Sequence, residues 1–307
     1  LQANLFRPKR VLLLAKTSRL DYERQKYSDI TSDQFRAIVR SEGIEVRVVK
    51  REEYTEEAVA WADAVFTAGG DGTFLIAAAK VKDHKPVIGF NADPIRSEGH
   101  LCITRKKDLP LVANSLPGFL NGFFSLYRNE KFDPKVPVLA LNDIFVGESH
   151  AARVSSYEIQ IDDGAVLKQK SSGLVVSTGT GSTSWNYNIN RVFEQDVSDL
   201  LRIMSSLGVP LNDTNKSFTQ EICQRFNEKL VFKPQSPMLA YTIREPLVNV
   251  TYPENIKRGF ASRIWIRSCC SDAHLVLDGG FSVPFNYGTE ILLETHKEDA
   301  LCTVMFV

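Results

Sequence analysis

Four short apolar runs punctuate the first hundred residues: 10–14 (RVLLL), 44–49 (IEVRVV), 64–67 (AVFT) and 86–90 (PVIGF). Each has the length of a buried strand, and none approaches the roughly 18 to 20 apolar residues that span a bilayer. Between them lie stretches with helical character, notably 33–40 and the Ala-rich 73–81. Strand, helix, strand at this spacing predicts βαβ units and a parallel sheet.

From about Leu139 the rhythm changes to period two. The segment 155–161 (SSYEIQI) places Tyr157, Ile159 and Ile161 on one face, and Asp162-Asp163-Gly164 reads as a hairpin turn into 165–170. Further strands are expected at 174–176, 262–267, 273–277, 281–285 and 290–294, with helices at 196–207 and 218–230. The fold class is therefore an α/β N-terminal domain followed by a mainly antiparallel, sandwich-like β domain. The division falls between residues 103 and 128, a stretch broken by Pro110 and Pro117. It is drawn as residues 1–125, residues 126–295 and a tail, 296–307, that can return to the first domain.

Lys plus Arg is 37 and Asp plus Glu is 37, so no global basic field favours nucleic acid or an anionic membrane, and neither is expected as a partner. The five cysteines are too scattered for a disulfide framework and include no Cys-x-x-Cys pair. A reducing compartment follows, with Cys269 and Cys270 expected on opposite faces of a strand. His84, His100, His150, His274 and His296 are not spaced as a metal set, so no protein-held metal is assigned. The chain begins with Leu1 rather than Met, which implies that its natural start, with any targeting peptide, is missing.

The sharpest chemical signal is Gly69-Gly70-Asp71-Gly72-Thr73, between an expected strand and an expected helix. Glycines let backbone amides approach a bulky anion, and a helix start adds a favourable dipole. A carboxylate beside such a cradle repels phosphate unless it holds Mg²⁺ or takes a hydroxyl proton. The plainer reading is a tight turn with an Asp cap. No Gly-x4-Gly-Lys-Ser/Thr occurs, and Gly179-Thr180-Gly181 lacks the third glycine of a dinucleotide fingerprint. Two weaker signals lie downstream. Residues 177–185 (STGTGSTSW) interleave glycines with hydroxyls, which also describes an ordinary loop. Asn142 and Asp143 set two polar groups inside an apolar strand, where they need partners or a ligand. Lys168 and Lys170 read as a solvated face, and Trp185 as core or interface.

Together, GGDGT, Asn142-Asp143, Thr180-Gly181-Ser182-Thr183 and Asp278-Gly279-Gly280 resemble the NAD kinases nearly end to end. Residues 92–101 (ADPIRSEGHL), 147–149 (GES) and 179–190 (GTGSTSWNYNIN) look like the mitochondrial branch of the animal enzymes. The resemblance implies an active site in the cleft between the two domains and transfer of the γ-phosphoryl of ATP to the 2′-hydroxyl of NAD. It casts Asp71 as catalytic. Gly70, Gly72, Thr73, Asn91, Asn142, Asp143, Ser172, Thr180, Gly181, Ser182, Thr183 and Asp278 become binding residues. It further implies Mg²⁺ with ATP, NAD as substrate, a homodimer and a mitochondrial location. Four departures stand out: Gly179 where most members have Pro, Ser172 where they have Asp, Gly99-His100-Leu101-Cys102-Ile103 for Gly-x-Leu-Gly-Phe, and Asp278-Gly279-Gly280 for Asp-Gly-Gln/Arg. GGDGT also marks diacylglycerol and sphingosine kinases, but there a Leu-Asn-Glu-like segment follows, whereas here Phe74-Leu75-Ile76-Ala77 does. A lipid kinase and a non-catalytic NAD(P)-binding protein are the alternatives.

Overall fold

The computed structural model describes residues 8–16, 40, 43–92, 98–103, 115–120, 139–211, 215–250 and 257–306. The helix expected over 33–40 lies, except for its last residue, outside the described residues, as does most of the 103–128 stretch. The chain separates into two compact units. One is Leu1–Phe123 with Leu139–Leu141 and His296–Val307; the other is Phe124–Val138 with Asn142–Thr295.

In the first unit, β1 (Arg10–Ala15), β2 (Glu45–Val49), β3 (Ala64–Gly69) and β4 (Val87–Asn91) form a parallel sheet in the order β2-β1-β3-β4. Parallel strands covered on both faces need apolar side chains at every position, which is why RVLLL shows no alternation. Leu12, Leu14, Val65 and Val87 pack on one face with Phe74 and Ala77, while Val11, Leu13, Phe66 and Ile88 fill the other. Two α-helices of this unit are bounded within the described residues. α1 (Glu56–Trp61) is capped by the Thr55 hydroxyl, which accepts from the Ala58 amide at 3.2 Å. α2 (Asp71–Ala78) starts directly after the Gly-rich turn. Strand β5 (Ser115–Leu120) runs through Pro117, where the sequence reads as a break. Among the described residues β5 has one neighbour strand only, and an edge tolerates the missing proline N–H.

The second unit is antiparallel throughout its described strands. β6 (Asp143–Glu148), β7 (Ser155–Ile161), β8 (Leu167–Ser171) and β9 (Leu174–Ser177) come first. Helices α3 (Trp185–Asn190), α4 (Glu194–Ser206) and α5 (Lys216–Glu228) follow, the last two around Val197, Leu201 and Cys223. Then come β10 (Leu239–Ile243), β11 (Arg258–Ala261), β12 (Arg263–Ser268), β13 (Ala273–Leu277), β14 (Phe281–Pro284) and β15 (Glu290–Glu294). They form two sheets, β11-β10-β9-β6-β13-β14 and β15-β12-β7-β8. In the smaller sheet Tyr157, Ile159, Ile264, Ile266, Ile291 and Leu293 are buried at alternate positions, the period-two pattern made physical.

The hairpin after β7 is longer than a tight turn: β8 begins at Leu167, not at 165. Asp162, with φ of +49°, explains part of this. Its Oδ1 accepts the amides of Ser262 (2.8 Å) and Arg263 (3.0 Å), and its own amide donates to the Arg263 carbonyl at 2.9 Å. The residue is spent on holding the start of β12. Cys269 and Cys270 do not sit on a strand, since β12 ends at Ser268; Cys270 is buried, with its sulfur against the Ser156 amide. The last strand, β16 (Leu301–Phe306), returns to the first unit, pairing antiparallel with β5. There Leu301 joins the cluster of Leu12 and Leu14, and the Thr303 hydroxyl donates to the Val87 carbonyl at 2.8 Å.

Candidate active site

In the first unit the Gly-rich turn works through what glycine omits. A Cβ on Gly69 would lie 2.2 Å from the Thr73 hydroxyl oxygen, so Thr73 folds back over the strand end only because that position is bare. The Thr73 amide donates to the Gly70 carbonyl at 2.9 Å, closing the first turn of α2. Asp71 is the first helical residue. Its Oδ1 accepts the Leu101 amide at 2.8 Å and its Oδ2 the His100 amide at 3.1 Å. Each oxygen keeps a further lone pair. Gly99 precedes this pair with φ of +62°, and a Cβ there would stand 2.4 Å from the Asn91 side-chain nitrogen. Asp71, Asn91 and the 99–101 backbone therefore form one corner. The carboxylate's two partners were not legible in the sequence; the Gly-His-Leu spacing flagged the segment, and the backbone rather than the imidazole meets Asp71.

In the second unit, Asn142 and Asp143 enter β6 as buried polar residues. The Asn142 carbonyl accepts the Thr178 amide at 3.0 Å, and its Nδ2 donates to the Ser184 hydroxyl at 3.2 Å. Its Oδ1 is buried with no hydrogen-bond partner among the described residues, and so is the Thr180 hydroxyl. Buried polar atoms are rarely orphaned without reason, and among the described residues Thr67 Oγ1, Glu148 Oε2 and Gln169 Nε2 share this state elsewhere. Gly181 lies against Asn142 so closely that a Cβ would be 2.1 Å from its carbonyl oxygen. Gly179, which replaces the family's Pro, packs against the Lys233 carbonyl, where a Cβ would come to 2.1 Å. The Ser182 hydroxyl donates to the Gly179 carbonyl at 2.7 Å and accepts from the Phe232 amide at 3.2 Å. Thr180 and Ser182, alike in sequence, thus differ: one hydroxyl lacks a partner and the other holds the loop.

Asp278 joins this group from the β13–β14 turn. Its Oδ1 accepts the Asn142 amide at 2.7 Å and the Asp143 amide at 3.1 Å. Burial first, and the Asp278 charge second, push the Asp143 carboxyl up to about 7. Ser172 is not brought to this cluster; it lies beyond the opposite end of β9, where its hydroxyl donates to Glu245. There it lines a separate cavity of about 490 Å³ with Phe145, Glu148, Arg244 and His274. Trp185 stands outside the cluster too, its ring 5.3 Å from that of Phe145.

Residues 7–115 match the family described as the ATP-NAD kinase N-terminal domain, which places the protein among nucleotide-phosphorylating enzymes. The chain is 38% identical to the human "NAD kinase 2, mitochondrial" across 98% of its own length and 85% of that protein. It is 37% identical to the rat protein of the same name, across 98% and 88%. A bacterial NAD kinase from Acinetobacter baylyi is 36% identical over 40% of this chain. The fold matches an NAD kinase from Archaeoglobus fulgidus, solved with ATP, at a TM-score of 0.60 and 18% identity, covering 97% of this chain and 93% of that one. Yeast NADH kinase, complexed with NADH, matches at 0.60 and 16% identity, covering 98% and 84%. The chain belongs to the NAD kinase family. It is an enzyme that phosphorylates NAD to NADP, and the lipid-kinase and non-catalytic alternatives fall away.

Proposed function

We propose that the 2′-hydroxyl oxygen of the adenosine ribose of NAD attacks the γ-phosphorus of ATP, the bond from that phosphorus to the β–γ bridging oxygen breaks, and ADP leaves. The transition state of such transfers is loose, so alignment and charge neutralisation matter more than a strong base. Asp71 orients the hydroxyl and receives its proton late. The two amides on its carboxylate keep it in one orientation at the start of α2, and this observation carries the reading. Gly70, Gly72 and Thr73 hold phosphate oxygens through amides and the Thr73 hydroxyl, with Asn91 beside them.

Asn142 and Asp143 grip NAD through hydroxyl or amide groups, and Thr180, Gly181, Ser182 and Thr183 line the dinucleotide, Ser182 from its backbone. The orphaned Asn142 Oδ1 and Thr180 hydroxyl support this assignment. Ser172, with Glu245 beside it, contributes at most to a distal part of the ligand. Mg²⁺ would accompany ATP as part of the substrate and would neutralise charge on its phosphates, and no residue is assigned as its protein ligand. The named relatives support a mitochondrial location, and the family resemblance supports a homodimer. The purified chain with ATP, Mg²⁺ and NAD should form NADP stoichiometrically with ADP. Phosphorylation of diacylglycerol or sphingosine with NAD left unchanged would overturn the reading.

A further inference from the structure

Asp278 holds a place that no ligand role requires. Its backbone conformation is set by the β13–β14 turn: φ is +49° at Asp278 and +64° at Gly279, and the Gly280 amide closes on the Leu277 carbonyl at 3.0 Å. Two successive positive φ values are what a type I′ turn demands, and Asp-Gly supplies them at least cost. From that fixed point one carboxylate oxygen accepts both the Asn142 and Asp143 amides, and the Asp278 amide donates to the Asp143 carbonyl at 2.9 Å. The start of β6 is thereby fixed in place and orientation. Everything beyond it depends on that start. The Asn142 carbonyl receives Thr178, Gly181 packs on it with no room for a methyl group, and the Asn142 Nδ2 holds Ser184.

We propose that Asp278 is a positioning residue for NAD: it touches no substrate, and it sets where Asn142 and Asp143 present their side chains. This rests on the reading that Asn142 and Asp143 hold NAD, and it replaces the expectation that Asp278 lines the dinucleotide. Asp162 provides a control inside the same unit. It has the same φ of +49° and grips two successive amides through one oxygen, but the residues it holds, Ser262 and Arg263, are exposed and carry no site group.

The experiment is steady-state kinetics of the full chain bearing Asp278→Ser, Asp278→Asn, Asp162→Ser or Asn142→Ala, with thermal melts of each. Losing an acceptor for buried amides in Asp278→Ser should raise KM for NAD about 10-fold, with KM for ATP unchanged. Asp278→Asn keeps an acceptor oxygen and tolerates the left-handed backbone, so its KM should return to within about 3-fold of the parent. It also removes the one charge that shifts Asp143 among the described residues, so the limb of the kcat/KM profile reporting Asp143 should move to lower pH. Asp162→Ser should lower the melting temperature and leave KM for NAD alone. Equal KM values in Asp278→Ser and Asp162→Ser make Asp278 a structural tie only and overturn the proposal. If Asp278→Ser does not fold, Asp278→Gly decides, because glycine keeps the left-handed backbone and removes the acceptor, and a KM for NAD equal to that of Asp162→Ser overturns it. An unchanged KM for NAD in Asn142→Ala removes the underlying reading, and the inference with it; a raised KM there with none in Asp278→Ser sinks the inference alone.

Discussion

Asp162 and Asp278 are the same device used twice. Each follows a strand, adopts φ of +49°, binds two consecutive amides with one carboxylate oxygen and returns its own amide to the second residue's carbonyl. What differs is the strand being held. Asp162 holds two exposed residues, Ser262 and Arg263, at the entry to β12, whereas Asp278 holds buried Asn142 and Asp143 at the entry to β6, one of them bearing an orphaned oxygen. A fold-level solution for starting a strand becomes part of a site only through the neighbours of the strand it starts. Burial adds the second difference, because Asp278 acts on Asp143 at short range in a low-dielectric setting and weakens that residue's preference for ionising.

The largest effect should come from a third carboxylate that grips two amides. Asp71→Asn keeps one acceptor for the His100 and Leu101 amides but loses the charge and the proton acceptor. kcat should fall ~10²-fold or more with KM for NAD and ATP nearly unchanged, and a mutant with wild-type kcat would remove Asp71 from catalysis. Gly181→Ala attacks the held strand from the opposite side: the new methyl would meet the Asn142 carbonyl at 2.1 Å, backbone against a fixed loop. A stability loss of ~1–3 kcal/mol and weaker NAD binding should follow, read by denaturant midpoint and KM.

A third test uses pH. The folded Asp143 titrates at about 7 against an ordinary 3.8, so between those values the native state keeps a proton that the unfolded chain has released. Stability therefore falls as pH rises from ~4 to ~7, by up to ~1.4 kcal/mol per unit, and levels off above. Asp143→Asn should flatten that slope in urea titrations; an equally steep mutant would move the effect elsewhere. The smallest effect belongs to the control strand. Arg263 pairs with Asp163 at 2.5 Å on an exposed surface, and Arg263→Ala should cost under ~0.5 kcal/mol with kinetics untouched.

Most of the architecture was legible because burial leaves its period in the sequence. β1 and β3 read as near-continuous apolar runs, the edge strand β2 alternates through exposed Glu45 and Arg47, and β7, β13 and β15 were bounded to the residue by their alternation. β10 was missed because all five of its residues are buried, which erases the alternation. The turns that carry Asp162 and Asp278 announced themselves as Asp-Asp-Gly and Asp-Gly-Gly, but their partners lie 100 and 136 positions away, and no local pattern encodes such pairing. The same limit hid the amides on Asp71, 29 and 30 positions on, and the contrast between Thr180 and Ser182, which depends on the Phe232 backbone.

β16 ties the first unit's sheet to a segment 216 positions later, through Thr303 and Val87. On the ribosome the strands of that sheet emerge first, yet Leu301, which completes the cluster around Leu12 and Leu14, is made only after the whole second unit. The antiparallel unit can therefore close while the first unit's cluster still lacks Leu301, and transiently exposed apolar surface of that kind is prone to aggregate.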